Sequence, residues 1–315
     1  MSSWQPSASL DDLRQRAVLL ANIRSFFTTR GYLEVQTPIM AKFGVTDRYL
    51  SNILAAFRGE TYALQTSPEY HMKRLLAAGS GPIFQLIQAF RDDELGRWHN
   101  PEFTLLEWYQ LDIDHLTLLK EVEAFVQSLL LCPAFLVKTY REVFLECCDI
   151  DPFTVTVGQL RQVLSRYNLA SVLSPNESDP DQYLFLLMSH VIEPSFKENV
   201  SPIAIIDFPP SQASLAQTVG GVAARFEVYY RGVELANGFH ELTDAALQRA
   251  RFNADVAERK AYQLPTTPVD EYLLAALEHG LPACSGVALG VDRLIAFALG
   301  KSNLKEVLAF DHARA

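Results

Sequence analysis

The segment that decides the fold runs from Phe90 to Tyr109 and reads FRDDELGRWHNPEFTLLEWY. It joins two apolar, aromatic-rich stretches, Ile83–Phe90 and Phe103–Leu111, whose composition is typical of β-strands. The residues between them are polar and include both arginines and acids. The pattern therefore predicts an antiparallel hairpin whose connecting loop carries opposite charges.

The second strand of this hairpin presents chemically useful side chains on one face. Strand alternation places Glu107 and Tyr109 on the same side as Phe103 and Leu105. A carboxylate and a phenol, beside a loop that carries Arg91, suit a ligand that is cationic at one end and anionic at the other. A solvated hairpin with ordinary surface charges is the simpler alternative for any one of these residues.

Taken as a whole, the segment resembles motif 2 of the class II aminoacyl-tRNA synthetases, specifically the lysyl branch, through HNPEFT at 99–104 and LEWY at 106–109. The resemblance implies an α+β fold in which helices flank an antiparallel sheet. It also implies that Arg91 contacts the α-phosphate of ATP, that Asn100 lies beside the nucleotide and that Phe103 stacks on adenine. A planar guanidinium suits this role because it binds phosphate oxygens in bidentate fashion.

Two further landmarks support the same family. The helix expected at Leu10–Arg30 and the short strand at Tyr32–Gln36 resemble motif 1, through which these enzymes form homodimers. The segment Gly286–Arg293 resembles motif 3, in which Arg293 would hold the γ-phosphate. A glycine before a helix start permits close approach of a nucleotide to the backbone. The resemblance makes Arg91 and Arg293 the catalytic residues.

The resemblance thus predicts an ATP site, and it does not decide which residue takes the role of the usual motif 2 glutamate. The residues assigned to ATP are Arg91, Asp92, Asp93, His99, Asn100, Phe103, Glu234, Leu235, Gly290 and Arg293. The third motif 2 position is usually Glu in the family, whereas here it is Asp93, one methylene shorter. Glu94 or a bridging water is an alternative for this role.

Two glutamates form a candidate metal site. A two-residue turn at Arg231-Gly232 pairs Tyr229 with Glu234, so that Glu227 and Glu234 share a face as diagonal neighbours. Neighbouring carboxylates repel each other unless a cation lies between them, and Mg²⁺ on ATP phosphates meets that need. The corresponding synthetase residues bind Mg²⁺, and a pair of exposed strand glutamates is the alternative.

The acidic character of the remaining candidates indicates a lysine-type substrate. Asn237, Phe239 and Glu241 have the opposite strand parity from Glu234, so we expect a bulge at Gly238 to re-aim them. The family uses matching residues to bind the amino acid, with Glu241 facing the side-chain ammonium. The predicted substrate-binding residues are Ser67, Pro68, Glu69, Glu107, Tyr109, Asn237, Phe239, Glu241 and Ala288.

Composition limits the classes of function. The 315 residues carry 27 Lys and Arg against 37 Asp and Glu, and the net charge of -10 disfavours a general nucleic-acid binder. No signal-like or membrane-spanning apolar run is present, so we expect a cytoplasmic protein that does not act at a membrane. We expect residues 1–315 to form a single catalytic domain, with a mostly helical insertion at about 116–200.

Two features of the sequence differ from those of a tRNA-charging lysyl-tRNA synthetase. Motif 1 begins about ten residues from Met1, so we expect no anticodon-reading domain and no recognition of a tRNA anticodon. Ala288 replaces the usual small Gly of motif 3, and its methyl group should favour a displaced amino group. Both departures resemble the elongation factor P lysine ligases, freestanding paralogues of lysyl-tRNA synthetase.

That resemblance implies the reaction and its partners. The enzyme would use ATP and Mg²⁺ to activate (R)-β-lysine, or lysine, as its adenylate. It would then transfer the acyl group to the ε-amino group of a lysine on elongation factor P. The alternatives are a freestanding lysine activator with another acceptor (a minimal tRNA, a carrier protein or a small amine) and a catalytically inactive regulatory binder.

Overall fold

The structure is a computed structural model that describes residues 4–92 and 94–315. The strands are β1 (Leu33–Glu34), β2 (Met40–Ala41), β3 (Leu54–Phe57), β4 (Glu60–Leu64), β5 (Ile83–Phe90), β6 (Glu102–Leu111), β7 (Leu136–Thr139), β8 (Ile203–Phe208), β9 (Thr218–Val219), β10 (Val222–Tyr230), β11 (Val233–His240) and β12 (Cys284–Gly290). The α-helices are α1 (Leu10–Thr28), α2 (Glu69–Ala77), α3 (His115–Leu130), α4 (Tyr140–Cys148), α5 (Val157–Arg166), α6 (Pro180–Leu187), α7 (Glu193–Ser195), α8 (Ala245–Ala261), α9 (Glu271–Gly280) and α10 (Val291–Ala298). A π-helical turn covers Met188–Ile192, and 3₁₀ turns cover Pro210–Gln212 and Leu304–Glu306.

The chain forms two compact units. The first runs up to Leu130 and resumes at Glu241–Ala315, and the second is Leu131–His240. The segment 116–200 contains mostly helices, with β7 as a short strand among them. The description of the chain as one domain with a helical insertion stays a prediction.

The first unit is built on a sheet with the order β1-β5-β6-β12. The predicted hairpin is confirmed: β5 and β6 are antiparallel over their full length, from Ile83 opposite Tyr109 to Phe90 opposite Glu102. Strand β12 is antiparallel to β6, and the short edge strand β1 is parallel to β5. A separate three-stranded sheet has the order β2-β4-β3.

The two faces of β6 have different environments. Trp108 is fully buried beside Phe27 of α1 and Phe125 of α3, and its indole Nε1 donates to Glu121 at 2.9 Å. Tyr32 donates a second hydrogen bond to the same glutamate at 2.7 Å. Because side chains alternate along a strand, burial of Trp108 on the helix side turns Glu107 and Tyr109 toward the opposite face.

Helix α1 begins as its sequence predicts. The side chain of Ser9 accepts the N–H of Asp12 at 3.1 Å, and the helix ends at Thr28 before Gly31, which has a φ of +83°. The strand expected over Tyr32–Gln36 is shorter, because only Leu33 and Glu34 pair with β5.

The second unit has the strand order β11-β10-β8-β7, with β9 paired to the start of β10. The predicted turn at Arg231-Gly232 is confirmed, since both residues have positive φ and Tyr229 lies opposite Glu234. Helices α4, α5 and α6 bury an apolar cluster against β8 and β10. Among the described residues, no helix is long and apolar enough to cross a membrane.

Candidate active site

Three carboxylates of the first unit converge near the start of α2. Glu107 accepts hydrogen bonds from Ser67 Oγ and from the Tyr109 hydroxyl, both at 2.7 Å. The Nζ of Lys73 lies 2.6 Å from Glu69 Oε1 and 2.6 Å from Glu241 Oε2. Glu107 and Glu241 are almost fully buried. We call Glu69, Glu107 and Glu241 the acidic cluster.

Local backbone geometry fixes this arrangement. Pro68 precedes α2, and its carbonyl accepts the N–H groups of His71 and Met72 at 3.0 Å. Ser67 Oγ accepts the N–H of Glu69 at 3.0 Å, so the Ser-Pro-Glu segment is held at the helix start. Glu241 directly follows β11, and its N–H donates to the carbonyl of Cys284 at 3.0 Å. The structure thus brings Ser67, Pro68, Glu69, Glu107, Tyr109 and Glu241 together, and their role in substrate binding stays a prediction.

Burial governs the electrostatics of the acidic cluster. Desolvation, with the neighbouring charge of Glu69, raises the pKa of Glu107 to about 8. Desolvation likewise raises the pKa of Glu241, although the ammonium of Lys73 opposes this effect. Burial alone would lower the pKa of Lys73, but Glu241 and Glu69 outweigh it and the pKa is raised. A buried ammonium therefore remains charged between two carboxylates.

Two small residues of β12 shape the same region. A Cβ atom on Gly286 would lie 2.2 Å from Tyr109 Cε1 and 2.6 Å from Glu241 Oε1. Ala288 lies directly opposite Glu107 in the β6–β12 pair. The strand register thus places Ala288 beside Glu107, and its role toward the amino acid stays a prediction. Gly286 leaves the space that Tyr109 and Glu241 occupy.

The motif 2 arginine lies at the end of β5. The guanidinium carbon of Arg91 is 5.0 Å from the centre of the Phe103 ring, and Nη1 is 3.2 Å from Glu94 Oε1. Its Nε is buried and has no hydrogen-bond partner among the described residues. An unsatisfied buried donor beside an aromatic face fits a site that receives an anionic, planar ligand.

The loop after Arg91 is tied to the C-terminal part of the chain. Trp98 stacks on Phe297 with ring centres 4.8 Å apart, and Arg293 Nε donates to the Trp98 carbonyl at 3.1 Å. Asn100 donates to the Glu102 carbonyl at 2.6 Å and accepts the N–H of His312 at 3.0 Å. These contacts fix the loop that follows Arg91 and connect it to Arg293.

The remaining nucleotide candidates lie on the loop after Arg91 and at the start of α10. Burial, followed by the charges of Arg293 and Arg91, lowers the pKa of His99, so its imidazole is neutral at pH 7. The Asp92 N–H donates to the Ser51 carbonyl at 3.0 Å. Gly290 is the N-cap of α10, which begins at Val291 and carries Arg293. Asp93 lies outside the described residues, and its predicted role stays a prediction.

In the second unit, β10 and β11 present polar side chains on one shared face. The ladder pairs Glu227 with Asn237 and Arg225 with Phe239, but Tyr229 with Glu234. Leu235 is therefore the extra residue of a bulge, which reverses strand parity and puts Glu234, Asn237 and Phe239 on one face. The expected bulge at Gly238 was wrong. Gly238 is instead required by packing, because a Cβ there would lie 2.3 Å from Phe226 Cζ.

Glu227 already has two strong partners on this face. Arg225 forms an ion pair with one carboxylate oxygen, and the Tyr229 hydroxyl donates to the other. The Arg225 guanidinium carbon lies 4.6 Å from the Phe208 ring centre. The side-chain oxygen of Asn237 is buried and has no hydrogen-bond partner within the described part of the chain. The face thus combines carboxylate oxygens with one unsatisfied amide oxygen.

Sequence reasoning missed Lys73 and Arg225. Lys73 lies four residues after Glu69 on α2, the spacing of a helical ion pair, so a signal was available. Arg225 lies two residues before Glu227 on β10 and hence shares its face. Neither spacing shows by itself that the side chain is buried against the carboxylates.

The geometry agrees with comparisons to known proteins. The chain belongs to the class II tRNA synthetases of the D, K and N group, because the model of that family matches residues 4–314. The curated elongation factor P--(R)-beta-lysine ligase of Edwardsiella ictaluri (strain 93-146) is 52% identical over 324 residues. That alignment covers 100% of this chain and 99% of the relative. The expected α+β class II synthetase fold is confirmed.

Proposed function

We propose that this protein is an ATP-dependent ligase that activates (R)-β-lysine as its adenylate and transfers it to a lysine of elongation factor P. The acidic cluster carries the proposal, because three carboxylates, two of them almost fully buried, suit an amino acid with two ammonium groups. The full-length similarity to a ligase of that name supports the same acceptor and the same amino acid.

The first step joins the amino acid to the α-phosphate. A carboxylate oxygen of the substrate attacks the α-phosphorus, and the bond from that phosphorus to the pyrophosphate oxygen breaks. Arg91 would pair with the α-phosphate and the attacking carboxylate, and Arg293 with the γ-phosphate, so both arginines neutralise charge and align the displacement. Phe103, on which Arg91 rests, would stack against adenine.

The second step forms the amide. The ε-amino nitrogen of the acceptor lysine attacks the carbonyl carbon of the adenylate, the C–O bond to AMP breaks and the nitrogen loses a proton. No side chain of this protein is consumed, so its residues position the reactants. Glu69, Glu107, Tyr109 and Glu241 would hold the ammonium groups, with Asn237 and Phe239 as further contacts.

The carboxylates of the second unit fit a magnesium ion that accompanies ATP. Mg²⁺ takes hard oxygen ligands and is often bound through one or two carboxylates plus substrate phosphates. Glu227 and Glu234 supply such oxygens on one face, and no group of three His, Cys, Asp or Glu in the described residues could hold a metal. When bound, the ion would neutralise charge on the phosphates. Arg225 would compensate Glu227 when the metal is absent.

We also propose a homodimer that acts in the cytoplasm. Large apolar side chains are exposed along the motif 1 region: Val18 on α1, Leu33 on β1 and Met40 on β2. Exposed apolar side chains that cluster in one region of the sequence favour burial against a second copy.

The test is ATP–pyrophosphate exchange with (R)-β-lysine, α-lysine and aspartate, followed by transfer of the radiolabelled substrate to elongation factor P and to tRNA in parallel. We expect exchange to favour (R)-β-lysine and label to appear on the protein. Label on tRNA alone would show a minimal synthetase, and no exchange with any amino acid would exclude an activating enzyme.

A further inference from the structure

A fixed cation lies among the carboxylates proposed to bind a cationic substrate. The side chain of Lys73 is almost fully buried, and its Nζ contacts Glu69 one helical turn away and Glu241 just after β11. Both distances are 2.6 Å. Burial of an ammonium is costly unless it is paired, and here two carboxylates from separate elements pair with it.

The charge balance of the acidic cluster explains why a cation belongs there. Three carboxylates, when ionised, carry one more negative charge than the two ammonium groups of a lysine-type amino acid can neutralise. Lys73 offsets that excess charge. The cluster then matches a diamino acid, whose own carboxylate is left to pair with Arg91.

Geometry gives Lys73 a second effect. The ammonium takes one named oxygen from each partner, Glu69 Oε1 and Glu241 Oε2, so it fixes the rotation of both carboxylates. Glu107 is fixed separately by Ser67 and Tyr109. Since pairing is strongest when polar groups are held in place before the ligand arrives, a fixed cluster binds an ammonium better than a mobile one.

We propose that Lys73 is a positioning residue that orients Glu69 and Glu241 and sets the net charge of the acidic cluster for an amino acid with two ammonium groups. The inference rests on the proposed function, because it assigns the same cluster to the substrate. It adds a determinant of specificity: Lys73 contributes to selection of diamino acids over amino acids with one ammonium group.

Lys73→Met tests the proposal with a neutral side chain of similar length. We expect KM for (R)-β-lysine in ATP–pyrophosphate exchange to rise at least about tenfold, because a buried charge pair is broken. KM for ATP should stay within about twofold, since the arginines are untouched. Lys120→Met, which removes an exposed lysine from α3, is the matched control and should change neither KM.

A substrate pair separates positioning from general loss of structure. An analogue of β-lysine with a hydroxyl in place of the side-chain amine has one ammonium group fewer. We expect Lys73→Met to reduce the preference for (R)-β-lysine over this analogue by about fivefold or more, because Glu69 and Glu241 are no longer held in place to receive the side-chain ammonium. A merely structural role would raise both KM values and KM for ATP in proportion, and would overturn the proposal.

Lys73→Arg keeps the test informative where the methionine variant does not fold. It retains the charge but replaces a point charge by a planar fork, so KM for (R)-β-lysine should lie between those of wild type and a neutral variant such as Lys73→Gln. A neutral variant with wild-type KM and wild-type preference would overturn the role of Lys73 alone. A wild-type enzyme that binds no lysine-type amino acid would overturn the proposed function as well.

Discussion

Arg16 of α1 and Asp292, the residue before Arg293, form an ion pair that is almost inaccessible to solvent, with Nη2 2.6 Å from Oδ1. Asp292 also accepts the N–H of Thr104 at 2.8 Å, and Arg16 donates to the Thr104 hydroxyl at 2.9 Å. One buried carboxylate therefore connects α1, β6 and α10. The three segments that resemble motifs 1, 2 and 3 are far apart in sequence, and they meet at this carboxylate.

Replacement of Arg16 should destabilise this connection. In Arg16→Met, Asp292 would keep a buried charge without its guanidinium partner, which costs about 3 kcal/mol in the free energy of unfolding. Because Asp292 adjoins Arg293, we also expect KM for ATP to rise. Urea unfolding and exchange kinetics measure the two effects. Arg14→Met, which removes an exposed partner of Asp11 on the same helix, should leave both near wild type.

The acidic cluster predicts a pH dependence of substrate binding. The pKa of Glu107 is about 8, so this carboxyl group is mostly protonated at lower pH, whereas a substrate ammonium binds its ionised form. KM for (R)-β-lysine should therefore fall as pH rises through about 8, by up to about tenfold per pH unit below that value. Exchange assays from about pH 6 to about pH 9 measure this, and a flat profile would contradict it.

The raised pKa of Glu107 also makes the stability of the folded state depend on pH. The folded-state pKa of Glu107 lies above its ordinary value of 4.5, so the folded state binds the proton more tightly than the unfolded state does. This contribution to stability is present at low pH and is lost as pH rises through about 8. Added (R)-β-lysine should offset the loss, because it binds the ionised cluster.

The sequence was sufficient to predict the elements that carry alternating or helical apolar patterns. Ile83–Phe90 is a strand with the expected bounds, and α1 begins at Leu10 as expected. The start of strand β10 at Val222 was not predicted from the sequence. The missed signal is Gly220-Gly221, both with positive φ, which form the turn from β9 into β10.

The position of the bulge in β11 and the burial of Lys73 were harder to predict than the strands and helices that carry the site. Parity required a bulge in β11, but sequence alone could not distinguish a glycine that bends the strand from one that accommodates a neighbouring ring. Gly238 is of the second kind, because the Phe226 ring occupies the space of its missing Cβ, and the bulge lies at Leu235. Burial of Lys73 likewise depends on Glu241, which is far away in sequence.

A methyl group at position 286 should disturb the acidic cluster. In Gly286→Ala the new Cβ would meet Tyr109 at 2.2 Å and Glu241 at 2.6 Å, so both side chains must move. We expect KM for (R)-β-lysine to rise at least about tenfold, with a smaller change in KM for ATP. Gly158→Ala, on α5, is the control: its nearest new contact is 4.0 Å, and it should leave exchange unchanged.

Replacement of Ala288 by glycine removes a methyl group instead of adding one. Its methyl group lies on β12 opposite Glu107, so Ala288→Gly would enlarge the space next to the acidic cluster. We expect activation of α-lysine to improve relative to (R)-β-lysine by about fivefold or more, because the position of the amino group is less restricted. Competition of the two substrates in the exchange assay measures the ratio. An unchanged ratio would show that Ala288 does not select between them.

Glu234 is proposed to contribute to binding of the magnesium ion. Glu234 lies opposite Tyr229 on the face that also carries Glu227, so its carboxylate oxygens should contribute directly to attraction of Mg²⁺. In Glu234→Gln the Mg²⁺ concentration for half-maximal exchange at saturating ATP should rise at least about tenfold. Glu198→Gln removes an exposed carboxylate from the same unit and should cause no shift. Titration of Mn²⁺ with a non-hydrolysable ATP analogue, followed by electron paramagnetic resonance, measures binding without turnover. Equal metal affinity in Glu234→Gln and wild type would remove Glu234 from the metal site.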